Sequence, residues 1–326
     1  MRLRISIARF GELENDNSTG RFSQGFTSLI QLLPTSSDYQ LLDFGLGRKL
    51  EQLGQVIVDR PCPGANGPKA NPTTWAHSQL VYREEQGGKW EYQASWPSVL
   101  REMTDGWECH CERIRLGIRP TPAGQLGVFP EHWAHWDWLR EVLRLDKFEA
   151  NVGLVKPKVL SLFAYTGATT LALAKAGCEV AHVDASRPTV QWARENALLS
   201  GLGNASIRWI VDDANGFVKR ELRRNKTYDA IILDPPTYGH GAQGDRWEIR
   251  RDLVPLLENC WRLLSEQRRG VLLCGHSSHI SIRDINQHLA DEFGRKGVGN
   301  CEVSQAFLVD GHERKLDCGF AAQYSW

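Results

Sequence analysis

Residues 158–177 constrain the fold more than any other stretch of the chain. The sequence KVLSLFAYTGATTLALAKAG begins with an apolar run, turns through Tyr165, Thr166 and Gly167, and continues with an Ala- and Leu-rich pattern. A short apolar run, a glycine turn and helical spacing are typical of a β-strand that leads into an α-helix. Such a turn exposes backbone N–H groups and the positive end of the helix dipole. The stretch therefore predicts a βα unit with a ligand-binding turn.

The same alternation of strand and helix continues after this unit. Strands are predicted at residues 159–163, 180–183, 207–211, 228–233 and 270–274, and helices at 169–175, 187–200, 214–223, 247–264 and 282–293. Two late strands, near 303–308 and 319–324, close the pattern. Repeated βα units followed by a hairpin predict an α/β fold with a mostly parallel sheet and one antiparallel edge strand.

The first part of the chain has a different pattern. Residues 1–36 show little periodicity and are predicted to be an irregular leader. Runs at 55–61, 80–82, 90–92 and 107–119 have strand character, and Gly87-Gly88 lies where a hairpin would turn. We therefore predict a small N-terminal β-rich module within residues 1–125, which could help to hold a substrate, and an α/β domain over residues 126–326 that begins with a helical bridge at 132–145.

Acidic residues follow the predicted parallel strands. Asp184 closes the second strand, Asp212 and Asp213 follow the third, and Asp234 follows the fourth. Open α/β sheets bind ligands at the carboxyl ends of their strands, so these side chains are predicted to lie near the Gly167 turn. An acid beside such a turn suits a ribose diol, and Asp213 suits an adenine amino group, with Asp212 as its competitor. The alternative for Asp184 and Asp213 is a helix N-cap.

The most specific motif is Asp234-Pro235-Pro236. Prolines directly after a buried strand end the hydrogen-bond ladder and stiffen the turn, which aims the carboxylate into the crevice. Tyr238, two residues further on, can supply an aromatic face. This set suits a nitrogenous base held flat beneath a methyl donor. The alternative is a rigid turn without a ligand.

Composition excludes several classes of protein. The chain has 39 basic and 39 acidic side chains, so no global positive field argues for nucleic acid. It has no run of about 20 apolar residues, which predicts no membrane span, and its first residues lack the pattern of a signal peptide. The eight cysteines are scattered, as in reduced cytoplasmic proteins. Cys109-His110-Cys111 has no second ligand pair, so no metal site is predicted.

The motifs together resemble those of class I S-adenosylmethionine-dependent methyltransferases. The matching words are LSLFAYTGATTLALA, HVDAS, WARENA, VDDA and ILDPPTYG. Within that class the chain, from about residue 124 onward, is similar to bacterial ribosomal-RNA large-subunit methyltransferases and their uncharacterised relatives. The resemblance implies a Rossmann-like sheet, S-adenosylmethionine as cofactor, ribosomal RNA as partner and a cytoplasmic enzyme of rRNA processing.

The resemblance also implies roles for individual residues. The positions that would hold the cofactor are Phe129 in the preceding GxF segment, Phe163, Ala164, Tyr165, Thr166 and Gly167 at the first turn, Asp184, Ala185 and Ser186 after the second strand, and Asp213 and Ala214 after the third. The positions that would meet the substrate base are Asp234, Pro235, Pro236 and Tyr238.

One departure from the relatives bears on the methylated atom. Enzymes that make 5-methylcytosine need a nucleophilic cysteine, because carbon 5 reacts only after a thiolate has added to the ring. In the word LLCGHSSH, Ser277 stands where that cysteine is expected and Cys274 lies three residues early. We therefore predict direct in-line transfer to a nitrogen of a base, such as the ring nitrogen N7 of guanine, for which positioning carries most of the catalysis. His276 and His279 are candidate bases or substrate contacts, with ordinary polar roles as the alternative.

Other functions stay open. Methylation of a protein or a small molecule is compatible with the neutral net charge, and a 5-methylcytosine enzyme or a cofactor-binding module without activity are further alternatives. The missing GxGxxG motif argues against a nicotinamide-dependent dehydrogenase. The sequence does not determine the nucleotide, the atom or the oligomeric state.

Overall fold

A computed structural model describes residues 36–84, 87–100, 106–145, 155–240, 246–276 and 299–326. Residues 1–35 of the predicted leader and the whole predicted helix at 282–293 lie outside these residues. No helix in the described part is long and apolar enough to cross a bilayer.

The N-terminal module is a β-sheet with strand order β1-β2-β3-β4-β5. Its strands are β1 (Tyr39–Gly45), β2 (Arg48–Leu53), β3 (Val56–Pro61), β4 (Leu80–Arg83) and β5 (Lys89–Tyr92). Strands β3 and β4 pair in parallel and the other neighbours pair antiparallel. The predicted hairpin across Gly87-Gly88 is confirmed as β4–β5.

A second hairpin follows the module sheet. Strands β6 (Trp107–Cys111) and β7 (Ile114–Ile118) pair antiparallel, so the prediction of one strand over 107–119 is wrong. The chain reverses at Glu112, which has a φ of +53°. Sequence patterns assign this left-handed conformation to glycine or asparagine and miss it at glutamate. The bridge then forms a 3₁₀ helix, Pro130–His135, that continues into α1 (Trp136–Val142).

The remaining strands and helices follow the predicted order, with two additional short strands after the fourth strand of the predicted alternation. They are β8 (Lys158–Leu162), α2 (Ala168–Lys175), β9 (Glu179–Asp184), α3 (Arg187–Leu199), β10 (Ile207–Val211), α4 (Ala214–Arg223), β11 (Ala230–Leu233), β12 (Tyr238–His240), β13 (Arg246–Glu248), α5 (Ile249–Leu263), β14 (Gly270–Gly275), β15 (Asn300–Val309) and β16 (Lys315–Ser325). Helix α5 begins two residues later than predicted because Trp247 and Glu248 belong to β13, which pairs with β12.

The main sheet has the strand order β10-β9-β8-β11-β14-β16-β15. Strands β10, β9, β8, β11 and β14 are parallel, and β16 runs antiparallel to both β14 and β15. The α/β class with a mostly parallel sheet is thus confirmed. The reversed strand lies one place inside the edge, since β15 is outermost. The carboxyl ends of β8, β9, β10 and β11 meet at one side of the sheet.

Apolar packing joins the module to the main sheet. One buried cluster includes Leu53 and Trp107 from the module, Trp133 from the bridge and Leu171 from α2. A domain boundary near residue 125 therefore stays a prediction.

The C-terminal hairpin reaches back to the first described strand. Arg314, in the turn between β15 and β16, forms an ion pair with Asp43 of β1 and donates to the Pro68 carbonyl at 3.0 Å. Asp43 is buried and also accepts hydrogen bonds from the Asn71 N–H at 3.0 Å and from Trp75 Nε1 at 2.7 Å. The two ends of the described chain are therefore held together by one carboxylate.

A second buried carboxylate, Glu51 of β2, organises the module interior. Its oxygens contact Lys49 Nζ at 2.9 Å and Arg60 Nε at 2.5 Å, and accept from the Tyr39 hydroxyl at 3.0 Å. Burial alone would raise the pKa of Glu51, but the charges of Arg60 and Lys49 lower it to about 2. The ionised carboxylate is therefore part of the folded state.

Replacing Glu51 with glutamine should lower the free energy of unfolding at pH 7 by about 3–5 kcal/mol, because it leaves two buried cations without their anion. The folded-state pKa lies below the ordinary value of 4.5, so the carboxylate stabilises the fold above pH 4.5 and this contribution is lost as pH falls toward 2. Urea unfolding between pH 3 and pH 7 measures both effects. Glu91→Gln, in a partly exposed ion pair with Arg83, should change stability by less than about 1 kcal/mol. If the wild type were more stable than Glu51→Gln by the same amount at every pH, the assignment of an ionised Glu51 to the folded state would be contradicted.

Candidate active site

The turn after β8 has an unusual backbone. Phe163 and Tyr165 have φ values of +54° and +50°, and Gly167, which caps α2, has a φ of +89°. Left-handed conformations of non-glycine residues cost about 1 kcal/mol or more and persist where the surroundings impose them. At Gly167 a Cβ atom would also lie 3.1 Å from the Cβ of Ala193. The shape of this turn is therefore fixed by what surrounds it.

Asp184, at the end of β9, is one of the groups that fix the turn. Its two carboxylate oxygens accept hydrogen bonds from the Tyr165 N–H and the Ser186 N–H, both at 2.9 Å. Ser186, and not Asp184, caps helix α3, since its hydroxyl accepts from the Thr189 N–H. Burial raises the pKa of Asp184, although the two N–H donors oppose the rise. Each carboxylate oxygen accepts these bonds with one lone pair and keeps another for a ligand.

The two acids after β10 have different partners. Asp213 caps α4 by accepting from the Gly216 N–H at 2.6 Å, as the cap alternative predicts, and it also lines the cavity described below. Asp212 forms an ion pair with Arg220 of the same helix. Among the described residues, an arginine forms an ion pair with Asp212 and none does so with Asp213.

A cavity of about 1040 Å³ opens at the carboxyl ends of the strands. A smaller cavity of about 50 Å³ adjoins it and shares some of its walls, including Phe129, Phe163, Tyr165 and Asp234. Every predicted cofactor position lines one or both. The large cavity adds Asp184, Ala185, Ser186, Asp213 and Ala214, and the small one adds Ala164, Thr166 and Gly167.

The predicted substrate positions are only partly brought together. Asp234, Pro235 and Pro236 line the large cavity, whereas Tyr238 is 64% exposed and is not among the lining residues. Trp247 supplies an aromatic wall that sequence reasoning missed. Its ring lies 4.9 Å from that of Phe163, and its Nε1 donates to the Pro236 carbonyl at 2.6 Å. No sequence signal separates this tryptophan from the helix predicted to begin there.

A group of titratable side chains also lies beside the Asp234 turn. His276 Nε2 is 3.3 Å from Glu131 Oε1, and His132 Nε2 is 3.5 Å from Asp234 Oδ2. The two imidazole rings are nearly parallel, with centroids 6.0 Å apart. Burial would raise the pKa of Glu131, but nearby basic side chains, His276 first among them, hold it below its ordinary value. Of these four residues, Asp234 and His276 were identified from sequence as candidates for substrate chemistry.

Cys274, the cysteine nearest the expected nucleophile position, lies in β14 and is 3% exposed. Burial raises the pKa of its thiol well above the ordinary value, and the charges of Asp234 and Glu131 raise it further. Such a thiol is protonated at neutral pH and is not a nucleophile. Ser277 and His279 lie outside the described residues.

Helix α3 ties the cofactor-side turn to the N-terminal module. Asn196, fully buried in α3, accepts from the Gly117 N–H of β7 and donates to the Thr166 carbonyl, both at 2.9 Å. Thr166 in turn donates from its hydroxyl to the Gly127 carbonyl at 2.5 Å. Gly127 has a φ of +92°, and a Cβ there would lie 2.2 Å from the Trp192 ring. The GxF segment, residues 127–129, is thereby packed against the turn. The ring centroids of Phe129 and Tyr165 lie 5.2 Å apart.

The strand order, the single reversed strand and the cavity at the carboxyl ends define a Rossmann-like class I methyltransferase fold. No family model matches the chain. Among solved structures, the SAM-dependent methyltransferase from Agrobacterium tumefaciens superposes with a TM-score of 0.78 at 32% identity, covering 90% of this chain and 91% of that one. The chain belongs to the S-adenosylmethionine-dependent methyltransferases, and S-adenosylmethionine is its cofactor.

Curated relatives give a narrower comparison. The chain is 40% identical over 283 residues to a ribosomal RNA large subunit methyltransferase K/L of Pseudoalteromonas atlantica, and 35% identical over 232 residues to the protein of that name from Shewanella frigidimarina. These alignments cover 79% and 69% of this chain. They span only 37% and 29% of the relatives' own length.

Replacing Asn196 with alanine should strip the Gly117 N–H and the Thr166 carbonyl of their partner inside the protein. Each unsatisfied buried group costs about 1–3 kcal/mol, so the free energy of unfolding should fall by about 2–4 kcal/mol. Chemical denaturation measures this loss. Calorimetry should also give weaker cofactor binding, because the turn loses its fixed position. The exposed Asn204 provides the control, and Asn204→Ala should leave both values within error. If Asn196→Ala were destabilised but bound the cofactor as tightly as the wild type, the Asn196 hydrogen bonds would not be what positions the turn.

Proposed function

We propose that this methyltransferase acts on a nitrogen of a base in ribosomal RNA by direct in-line transfer. The observation that carries the proposal is that the Asp234-Pro235-Pro236 turn lies in the wall of the cavity that Asp184 lines. A base held at that turn would therefore lie beside the methyl donor. The names of the curated relatives support RNA as the substrate, although the chain spans about a third of their length.

The residues present fit the cofactor. Asp184 would bind the ribose diol, because it lines the large cavity and both its oxygens are held in place by backbone N–H groups. Asp213, with Ala185, Ser186 and Ala214 beside it, would surround the adenine. The turn from Phe163 to Gly167 would take the methionine end, where N–H groups at the start of α2 meet a carboxylate. The bound cofactor supplies an electrophilic methyl group on a sulfonium.

Not every predicted substrate position would contact the target base. The Pro236 carbonyl already accepts from Trp247, so the Asp234 carboxylate and the Pro235 carbonyl stay available to accept from a base. Trp247 would present the aromatic face inside the cavity. Tyr238, exposed beyond the cavity wall, would contact a neighbouring nucleotide instead of the target.

Charge at the cavity favours a phosphate-bearing substrate over a neutral small molecule. The lining residues include four basic side chains, Lys219, Arg220, Arg246 and Arg251. Arg220 is paired with Asp212 and Arg251 with Asp252, while Lys219 and Arg246 are exposed. Local basic groups can follow an RNA backbone even when the net charge of the chain is zero.

The buried Cys274 supports nitrogen over carbon 5 of cytosine as the acceptor. Carbon-5 methylation requires a thiolate that adds to the ring, and the pKa of this thiol is raised by burial. A nitrogen acceptor needs orientation, and an amino nitrogen also needs an acceptor for the proton that it loses, which the Asp234 carboxylate would supply. The predicted cytoplasmic location depends on ribosomal RNA being the substrate.

Deleting the gene should remove a methyl mark on one base of ribosomal RNA. Mass mapping of RNA fragments from deletion and wild-type strains would show a loss of one methyl mass at one position. Expression of the wild-type chain should restore the mark, and expression of Asp234→Ala should not. Identical methylation maps in the two strains would refute the RNA substrate, while leaving the assignment of the cofactor untouched.

Substitutions at Asp184 and Asp234 should separate cofactor binding from methyl transfer. Asp184→Ala should weaken S-adenosylmethionine binding by about 10–100-fold, since hydrogen bonds to a charged group are worth about 1.5–3 kcal/mol. Asp234→Ala should keep cofactor affinity within about threefold, because its carboxylate would contact the base. Calorimetry measures the cofactor affinity of each variant, and an RNA methylation assay measures methyl transfer. Asp137→Ala, at an exposed position, is the control. Equal loss of cofactor affinity in both variants would contradict the division of roles.

A further inference from the structure

We propose that Glu131, His132 and His276 bind one divalent transition-metal ion, of the class represented by Zn²⁺, at the edge of the methyl-transfer cavity. Two of these residues come from the 3₁₀ helix Pro130–His135, and His276 directly follows β14. Sequence spacing could not reveal the group, because the third ligand is distant in the chain. The assignment does not depend on the identity of the methylated substrate.

The geometry is close to that of a bound ion. One potential ligand atom from each residue lies within 4.8 Å of the other two. The shortest separation recorded among them, His276 Nε2 to Glu131 Oε1, is 3.3 Å. Tetrahedral zinc with ligands at about 2.0–2.1 Å has ligand atoms about 3.4 Å apart. The other two separations are at most 4.8 Å, so small rotations of the His132 and His276 side chains would bring the three atoms to a common ion.

Unpartnered polar atoms supply an independent observation. Glu131 is only 7% exposed, and its Oε2 has no hydrogen-bond partner among the described residues. His132 Nε2 is also buried without a hydrogen bond. Leaving a buried polar atom without a hydrogen bond costs free energy, and a bound ligand would remove that cost. The nearby Lys49 ammonium contacts Glu51 at 2.9 Å and does not hydrogen-bond Glu131 Oε2.

The donor set selects the class of ion. Two imidazoles and one carboxylate suit zinc and its transition-metal neighbours, whereas magnesium and calcium prefer oxygen ligands. Three protein ligands leave at least one coordination position open. Since His276 lines the large cavity, that position would face the cavity and could take an oxygen atom of the substrate.

The test uses the full chain after treatment with a chelator. Co²⁺ serves as a spectroscopic substitute for Zn²⁺, because imidazole and carboxylate ligands give visible bands without the strong near-ultraviolet band of thiolate coordination. Titration should give one Co²⁺ per chain, displaced by equimolar Zn²⁺ and unaffected by millimolar Mg²⁺. His276→Asn should weaken binding by at least the roughly 10–100-fold known for outer-shell groups, and Glu131→Gln should do the same. Thermal unfolding verifies that each variant is folded.

His110 provides the matched control. Its two ring nitrogens lie 3.0 Å from Asp38 and 3.5 Å from Glu108, so it too is a histidine among carboxylates, yet it is absent from the described three-ligand group. His110→Asn should bind Co²⁺ like the wild type. Three results would each overturn the proposal: no saturable binding, equal affinity in the folded His276→Asn variant, or a thiolate band. In that case Glu131 and His276 form an ion pair only.

Discussion

The buried amide of Asn196 is the interaction on which the arrangement of this enzyme depends. It is held by helix α3 and contacts both β7 of the N-terminal module and the turn after β8. An amide can do this because it donates and accepts at once, and burial makes both bonds costly to lose. This side chain therefore connects the module directly to the cofactor-side turn, and Trp192, one helical turn earlier, adds a hydrogen bond to the Gly117 carbonyl.

The turn itself is strained, and its neighbours hold it in that state. Phe163 and Tyr165 adopt positive φ values that an isolated chain would avoid. Asp184 binds the Tyr165 N–H from one side, and Asn196 binds the Thr166 carbonyl from the other. Because these contacts come from β9 and α3, the conformation is set before any ligand arrives. Such preorganisation lowers the entropic cost of binding a flexible cofactor.

Sequence periodicity was sufficient to predict the α/β fold, because each buried strand of the main sheet is a short apolar run and α4 begins and ends where its pattern does. The methyltransferase class and its cofactor, predicted from the strand-end motifs and the resemblance, are confirmed. Positive φ values at non-glycine residues could not be predicted from the sequence. At Glu112 such a φ divides a predicted single strand into the two strands of a hairpin. Trp247 and the contacts of Glu131 with His276 depend on packing between distant segments, which a single sequence does not encode in any local pattern.

The ion pair between Arg314 and Asp43 has a consequence for biosynthesis. It links positions 271 residues apart, and Leu41 of the first strand also bridges to Asp310. Chains are made from the N-terminus at about 5–20 residues per second, so β1 emerges from the ribosome long before its partners. During that interval the Asp43 carboxylate lacks its arginine, and the edge of β1 is open. These contacts of the N-terminal module are thus completed late in synthesis, and until then an unpaired strand edge is open to chaperones and to aggregation.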